Sequence, residues 1–373
     1  MADSYLVEPD IGFIDDVARF GGGDLKKCFQ CATCSVACAI SPENKPFPRK
    51  EMIAASWGLK DKLVGNGDIW LCHLCGDCSE LCPRGAKPGD VLSAIRSYTI
   101  TDYAKPKVLA KALNEPKKIP ILLGIPAIWF AIVASITLFF GPTMEKIFHF
   151  IGLDAIGLHW YHVPHGPGAP IAHQNFVSTW MIDITFVPLS TLVAILFISG
   201  LVRFMKDIHA NAVLEGKTDK KDFTPGDILS PDFVKALGKV ILTILKHEKF
   251  SECTENNNRS TPHMMVLYGF IGCFIVTACC VILIYLFNAP GPYSQLTPLK
   301  FLANLAGVVI VIGSSLLIKN RLSQEDTVST YKDWYLLWLV FGLGNRSAGR
   351  NDKAWRNAGC NVLYLLSASY SDI

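Results

Sequence analysis

Charged side chains are scarce in this chain, and the scarcity is uneven. Only 18% of its 373 residues are Asp, Glu, Lys or Arg, against about 25% in soluble domains. The first 118 residues do not share the shortage, with 16 basic and 15 acidic side chains. That segment reads as an ordinary near-neutral soluble domain. A net charge of +3 is too small for the basic footprint of a nucleic-acid binder, so no nucleic-acid partner is expected. A secretory signal is missing at the start, so an oxidising compartment and disulfides are not expected for this part.

What is present, eight times over, is cysteine at one repeated spacing. Cys28-x2-Cys31-x2-Cys34-x3-Cys38 is followed by Cys72-x2-Cys75-x2-Cys78-x3-Cys82-Pro83. Three thiolates at i, i+3 and i+6 let one loop wrap three corners of a cubane. In two-cluster ferredoxins the fourth cysteine of each run serves the other cluster. The spacing therefore assigns Cys28, Cys31, Cys34 and Cys82 to one [4Fe–4S] cluster, and Cys72, Cys75, Cys78 and Cys38 to a second. Structural zinc prefers separated Cys-x2-Cys pairs. The stretch between the runs has little period-2 alternation, which favours an all-helical cluster domain over a βαβ one. Helices are expected over Pro48–Lys62, ending at Gly65-Asn66-Gly67, and after Pro88. His73, between two cluster cysteines, is expected to tune its cluster by hydrogen bonding.

After Ile119 charge nearly disappears. Four apolar runs, Ile119–Phe140, Trp180–Phe204, Met264–Phe287 and Leu299–Ile318, are each long enough to cross a hydrocarbon core about 30 Å thick. Arg203–Pro262 carries ten Lys or Arg and Lys319–Asp333 three, whereas Gly141–Thr179 carries only Lys146 and Asn288–Pro298 none. The positive-inside rule then places the N-terminal domain in the cytoplasm, where thiolates persist as ligands. A multi-pass protein of the cytoplasmic membrane is expected. The linker Lys105–Lys118 holds five lysines and one acid, suited to a topology signal and to anionic headgroups. Pro231 starts an amphipathic helix suited to the membrane surface or to the underside of the cluster domain, and packing of its apolar face in a core is expected.

The expected fold is all-α, a helical two-cluster ferredoxin joined to a transmembrane bundle. Its parts are residues 1–104 (clusters), 105–118 (linker), 119–344 (four spans and a partial fifth) and 345–373 (a polar tail). In the partial fifth span only Trp334–Leu343 is apolar. Ten residues cannot cross as a helix, so a truncated span or a change of reading frame is expected there rather than a re-entrant segment.

No histidine lies deep inside a span. An electron path into the membrane needs haem b between two histidines, or a quinone bound directly. The candidates are His263 and His209 on the inner side and His162 and His173 on the outer side. Asp183, the one acid well inside a span, is the candidate proton acceptor for a quinol. Cys273, Cys279 and Cys280 lie in a span as packing residues, and Cys253 follows His247 in a basic loop as a weak candidate.

The segments CFQCATCSVAC, FPRKEMI and WLCHLCGDCSELCPRGAKP resemble the C subunit of heterodisulfide reductases. HEKFSEC, RSTPHMMVLYGFIG and YKDWYLLWLVFGLG resemble haem b membrane subunits of related respiratory complexes. Joined in one chain, they resemble the C subunits of quinone-interacting membrane-bound oxidoreductase (Qmo) complexes of sulfate reducers. The resemblance covers residues 1 to about 344. It implies one or two haems b, a menaquinone site, soluble flavin and iron–sulfur partner subunits, and electron exchange with adenylylsulfate (APS) reductase. His263 matches the family's histidine at the head of the third span. The chain departs from the family after Gly344, where members continue with apolar helix carrying histidine.

Overall fold

A computed structural model describes residues 8–152, 179–216, 218, 223–248, 257–287, 289, 293–294, 296–323 and 331–348. Among these there is no strand, and the fold is all-α as expected. Eight helices precede the apolar part: α1 Ile11–Val17, α2 Thr33–Ala37, α3 Arg49–Ser56, α4 Lys60–Val64, α5 Asp68–Leu71, α6 Asp77–Glu80, α7 Pro88–Tyr103 and α8 Lys107–Leu113. Then come α9 Ile119–Ile151, α10 Thr179–Leu214, α11 Pro231–Lys246, α12 Asn257–Tyr285, α13 Pro298–Leu322 and α14 Tyr331–Ala348. Four of them, α9, α10, α12 and α13, are long and apolar enough to cross a membrane.

The cluster domain is organised on α7. Proline at its first position suits a helix start, because the missing N–H has no partner there in any helix. Its Val91, Leu92, Ala94, Ile95 and Thr99 are buried, a stripe at helical spacing. Phe13 and Val17 of α1, Met52 of α3, Leu63 of α4 and Ile69 of α5 share that core. Asp10 caps α1 by accepting from the Phe13 N–H at 2.9 Å, which satisfies an otherwise orphaned donor. The single helix expected over Pro48–Lys62 is instead two. Gly58 takes a φ of 67° between them, and its carbonyl accepts from the Asp10 N–H at 3.0 Å.

The apolar helices overrun the runs that announce them. α9 continues through Gly141-Pro142 to a left-handed Gly152, and α10 continues ten residues past Phe204 to Leu214. Lipid thickness limits only the apolar portion, and a helix goes on until a breaker stops it. His209 and His263 therefore sit within α10 and α12, not just outside them. The decapeptide Trp334–Leu343 belongs to the 18-residue α14, which runs through Gly344. The expectation that α11 packs in a core is overturned, since none of its residues is buried. Val234, Leu237, Val240, Ile241 and Ile244 are exposed.

The chain divides into two compact units. One comprises Met1–Lys111, Ile195–Thr261 and Asn320–Thr330, the other Ala112–Ala194, Pro262–Lys319 and Tyr331–Ile373. In the first, the cluster domain grips the basic end of α10. The Phe204 ring meets Trp70 at 5.4 Å and Tyr103 at 5.5 Å, both edge to face. Arg203 donates to the Tyr103 carbonyl at 2.5 Å, and the Tyr103 hydroxyl donates to Asp207. Burial and that carboxylate push the Tyr103 phenol up from its usual range. Lys45 pairs with Glu215 at 3.5 Å. Gly65 lies so close to α10 that a Cβ would stand 2.8 Å from the Asp207 carbonyl oxygen.

In the second unit, Trp129 of α9 donates to the Thr185 hydroxyl at 3.2 Å, and Phe130 meets Phe186 at 5.9 Å. Along the α12–α13 seam a Cβ on Gly313 would meet the Pro262 carbonyl oxygen at 2.9 Å. Small residues that admit a neighbouring backbone are a common device of membrane helix packing.

Candidate iron–sulfur centres

The two cysteine runs repeat in conformation as well as in sequence. In the first, Gln30 and Ala32 are left-handed, with φ of 64° and 69°. In the second the equivalent positions, Leu74 and Gly76, have φ of 54° and 101°. Two left-handed residues at the same offsets curl each loop and start a short helix, α2 or α6. The second residue of each helix is a buried cysteine, Cys34 or Cys78. α2 and α6 pack on each other, which brings the runs side by side.

Two hollows result. One is lined by Cys28, Cys31, Cys34 and Cys82. The other is lined by Cys38, Cys72, Cys75 and Cys78 together with His73. Each takes three cysteines from its own run and one from the other. Among the described residues, no three His, Cys, Asp or Glu groups stand close enough to grip a single metal ion. A tetrahedral zinc with bonds of about 2.3 Å would hold its sulfurs about 3.8 Å apart. A cubane spreads its four thiolates around a larger body, and four thiols around a hollow fit that demand.

The sulfurs carry further partners. Gln30 Nε2 donates to Cys28 Sγ at 3.3 Å, and the Leu74 N–H donates to Cys72 Sγ at 3.4 Å. The Ala86 N–H donates to Cys82 Sγ at 3.3 Å, and the Thr33 hydroxyl lies 3.2 Å from Cys31 Sγ. The Thr33 hydrogen bond holds the exposed Cys31 thiol below its usual range. Burial, then neighbouring thiols, push Cys34 up to about 11 and Cys78 to about 12. Burial also raises Cys72 and Cys38. Thiols so buried and crowded ionise together only around a positive centre, which iron supplies.

Arg96 of α7 sits behind the second run. It donates to the Ile69 carbonyl at 2.8 and 2.6 Å and to the Cys72 carbonyl, with its guanidinium 5.9 Å from the Trp70 ring. Neither Arg96 nor the Trp70–Phe204 contact has a spacing signature, so sequence reasoning missed both. Gln30 and Thr33 were in view within the first run but had no signal of their own. Glu51 was missed as well. It is 1% exposed, Asn66 donates to it at 3.4 Å, and Lys50 lies 3.6 Å away. Burial pushes it up to about 7 against the pull of Lys50.

The membrane candidates fare differently. Asp183 is half-buried and accepts a hydrogen bond from the hydroxyl of Tyr285 on α12, in the same unit. It begins the apolar stretch of α10 rather than lying deep within it. His209 is half-buried with its ring 5.8 Å from Phe223, and His263 is exposed on α12. These two belong to different units, while His162, His173 and Cys253 lie outside the described residues. Cys280 is buried and Cys273 and Cys279 are half-buried in α12, as packing residues are.

Comparison with known proteins agrees with the N-terminal geometry. The 4Fe-4S dicluster domain family matches residues 24–86. The chain is 36% identical over 89 residues to the C subunit of the H(2):CoB-CoM heterodisulfide,ferredoxin reductase of Methanothermobacter marburgensis, covering 24% of this chain and 48% of that one. It is 32% identical over 107 residues to a protein of Archaeoglobus profundus described as like the heterodisulfide reductase C subunit, covering 27% and 57%. With the iron-sulfur C subunit of the CoB--CoM heterodisulfide reductase of Methanopyrus kandleri it shares 33% over 88 residues, covering 24% and 44%. The chain thus spans about half the length of the curated relatives it matches. No solved structure matches it. The N-terminal part matches the 4Fe-4S dicluster domain family and is similar to heterodisulfide reductase C subunits.

Proposed function

We propose that this protein is the membrane subunit of a respiratory oxidoreductase, passing electrons from menaquinol to soluble flavin and iron–sulfur partner subunits. The observation that carries the proposal is the exchange of cysteines between two hollows in a chain that also has four helices of membrane-spanning length. Cys28, Cys31, Cys34 and Cys82 would hold one [4Fe–4S] cluster, and Cys38, Cys72, Cys75 and Cys78 the other. When bound, the clusters supply one-electron steps at potentials set by charge, hydrogen bonds and exposure. The cysteine loops fix their positions, and the grip on α10 keeps the domain beside an apolar helix.

Asp183, hydrogen-bonded to Tyr285, is the group that takes a proton from the quinol as its electrons leave. Haem b rests on the resemblance alone, and no step is routed through it. The resemblance directs the electrons toward APS reductase in sulfate reduction. A second reading is favoured by the names of the relatives, which are subunits of heterodisulfide reductases. In that reading the same chain serves a membrane heterodisulfide reductase. Loop charge supports a cytoplasmic cluster domain in either case.

The test is metal analysis of the pure full-length chain in detergent, followed by reduction with a menaquinol analogue. About eight iron and eight sulfide per chain are expected, with cluster signals that grow on adding the quinol. Half that iron, or clusters that the quinol cannot reduce, would sink the proposal. Pyridine-haemochrome analysis counts any haem in the same sample. Asp183→Asn is expected to slow quinol-driven reduction and to leave the iron count unchanged.

A further inference from the structure

The two hollows have different surroundings, and the difference has a direction. The ring and close backbone contacts of the cluster domain with α10 come from Gly65 and Trp70, which lead into the second run, and from Tyr103 at the end of α7, while Lys45 pairs with Glu215 just past the helix. Trp70, two residues before Cys72, meets Phe204. Arg96 ties the Ile69 and Cys72 carbonyls to the face of the same indole. Gly65 lies against Asp207. The exposed apolar residues next to Cys72, Leu71 and Leu74, belong to this same stretch, beside a helix apolar enough to enter lipid.

The first hollow differs in its thiols, since no cysteine of the second is exposed. Its Cys31 is exposed, and the apolar residues flanking its cysteines stand in the open. Phe29 is 58% exposed, Val36 86% and Leu81 59%. Arg49 and Arg84 line the hollow and are themselves exposed, and Arg84 lies 5.9 Å from the Phe29 ring. Gln30 and the Ala86 N–H donate to its sulfurs and the Thr33 hydroxyl lies against a third, whereas the donor to Cys72 in the second hollow is a backbone N–H. Greater exposure and more hydrogen bonds to sulfur both favour the reduced form of a cluster.

We infer that the domain is polarised, with the Cys38–Cys72–Cys75–Cys78 hollow as the membrane-side electron station and the Cys28–Cys31–Cys34–Cys82 hollow as the water-side station that meets a soluble redox protein. The inference rests on the two-cluster reading proposed above. In that order an electron arriving from the membrane side would reach the cysteines of the second hollow first and would leave past the exposed Cys31 toward the soluble protein. No bond is made or broken between stations, and the quinol's protons stay behind. The surface groups fit this order: an apolar patch with an arginine rim surrounds the exit, and an aromatic contact to α10 stands at the entrance.

The experiment is EPR power saturation of the reduced full-length protein in detergent, with and without a water-soluble dysprosium chelate as relaxing agent. Thr33→Val and Gln30→Leu label the first station by shifting its signal and lowering its midpoint potential, and Thr33→Ser restores it. Arg96→Gln labels the second. The chelate is expected to raise the saturation power of the Thr33-sensitive signal several-fold more than that of the Arg96-sensitive one. Equal relaxation of both signals, or stronger relaxation of the second, overturns the polarity. If the sample instead holds far less than about eight iron per chain, the two-cluster reading itself fails, and the polarity with it.

Discussion

The cluster domain and the apolar helices bury their hydrophobic side chains in opposite ways. In the domain, Val17, Met52, Val91 and Ile95 are fully enclosed, and Leu92 is 1% exposed. The apolar windows of α9, α10, α12 and α13 are only 6%, 0%, 22% and 28% buried. Within water, each enclosed side chain of this size contributes about 1.5–3 kcal/mol, so the domain makes its own apolar interior. The four long helices leave theirs outward, where lipid is the matching solvent, and meet each other through a few close points such as the Gly313 seam. The join between the cluster domain and α10 is the contact of Trp70, Tyr103 and Gly65 with the end of that helix.

The comparison can be broken hardest at the cysteines. Cys78→Ser is expected to remove one cluster and about half the iron, while the long helices keep their helical circular dichroism in detergent. Loss of all helical signal would show that the two regions do not stand independently. Next in size is the join. Gly65→Ala introduces a methyl against the Asp207 carbonyl, and such overpacking costs about 1–3 kcal/mol. Limited proteolysis between the domain and α9 should speed up accordingly. An unchanged rate would mean that this contact does not hold the domain in place.

Glu51 separates the regions by pH. Its folded pKa is raised, to about 7, so folding is favoured most below the ordinary carboxylate range. The contribution is lost as pH rises through about 7, where folding must bury a charge. The melting temperature of the cluster domain should therefore fall between pH 5 and 8, and Glu51→Gln should flatten the fall by on the order of 1–3 kcal/mol. A wild-type profile that rises over this range would contradict the assignment. The smallest effect belongs to α11, whose apolar face is open. A spin label at Ile241 in proteoliposomes is expected to meet dissolved oxygen more readily than a water-soluble nickel chelate, as lipid-facing residues do. The reverse preference would give that face a different cover.

Much of the centre was legible from spacing, because metal ligation is written in short, local intervals. The Cys28-x2-Cys31-x2-Cys34 interval already implies a loop that curls, and the left-handed Gln30 and Ala32 are how it does so. Helix ends were less legible. The apolar run of α10 stops near Phe204, yet nothing breaks the helix until Gly216, with a φ of 66°. The helix expected over Pro48–Lys62 divides because Asp10, far away in sequence, holds Gly58 in place. The fate of α11 was misread for a related reason. An amphipathic pattern shows that one face wants an apolar neighbour, but not which neighbour it finds.

The sequence by itself determined the helical class, the four long apolar helices and the eight thiols. These follow from hydropathy, breakers and ligand spacing, which act over a few residues. Only the tertiary structure decided that Arg96 stands behind Cys72, that Glu51 is sealed from water and that Tyr285 reaches Asp183. It alone set Trp70 against Phe204, and so distinguished the two hollows. Each of these joins residues distant along the chain, and such meetings depend on how whole helices pack, which no local pattern encodes.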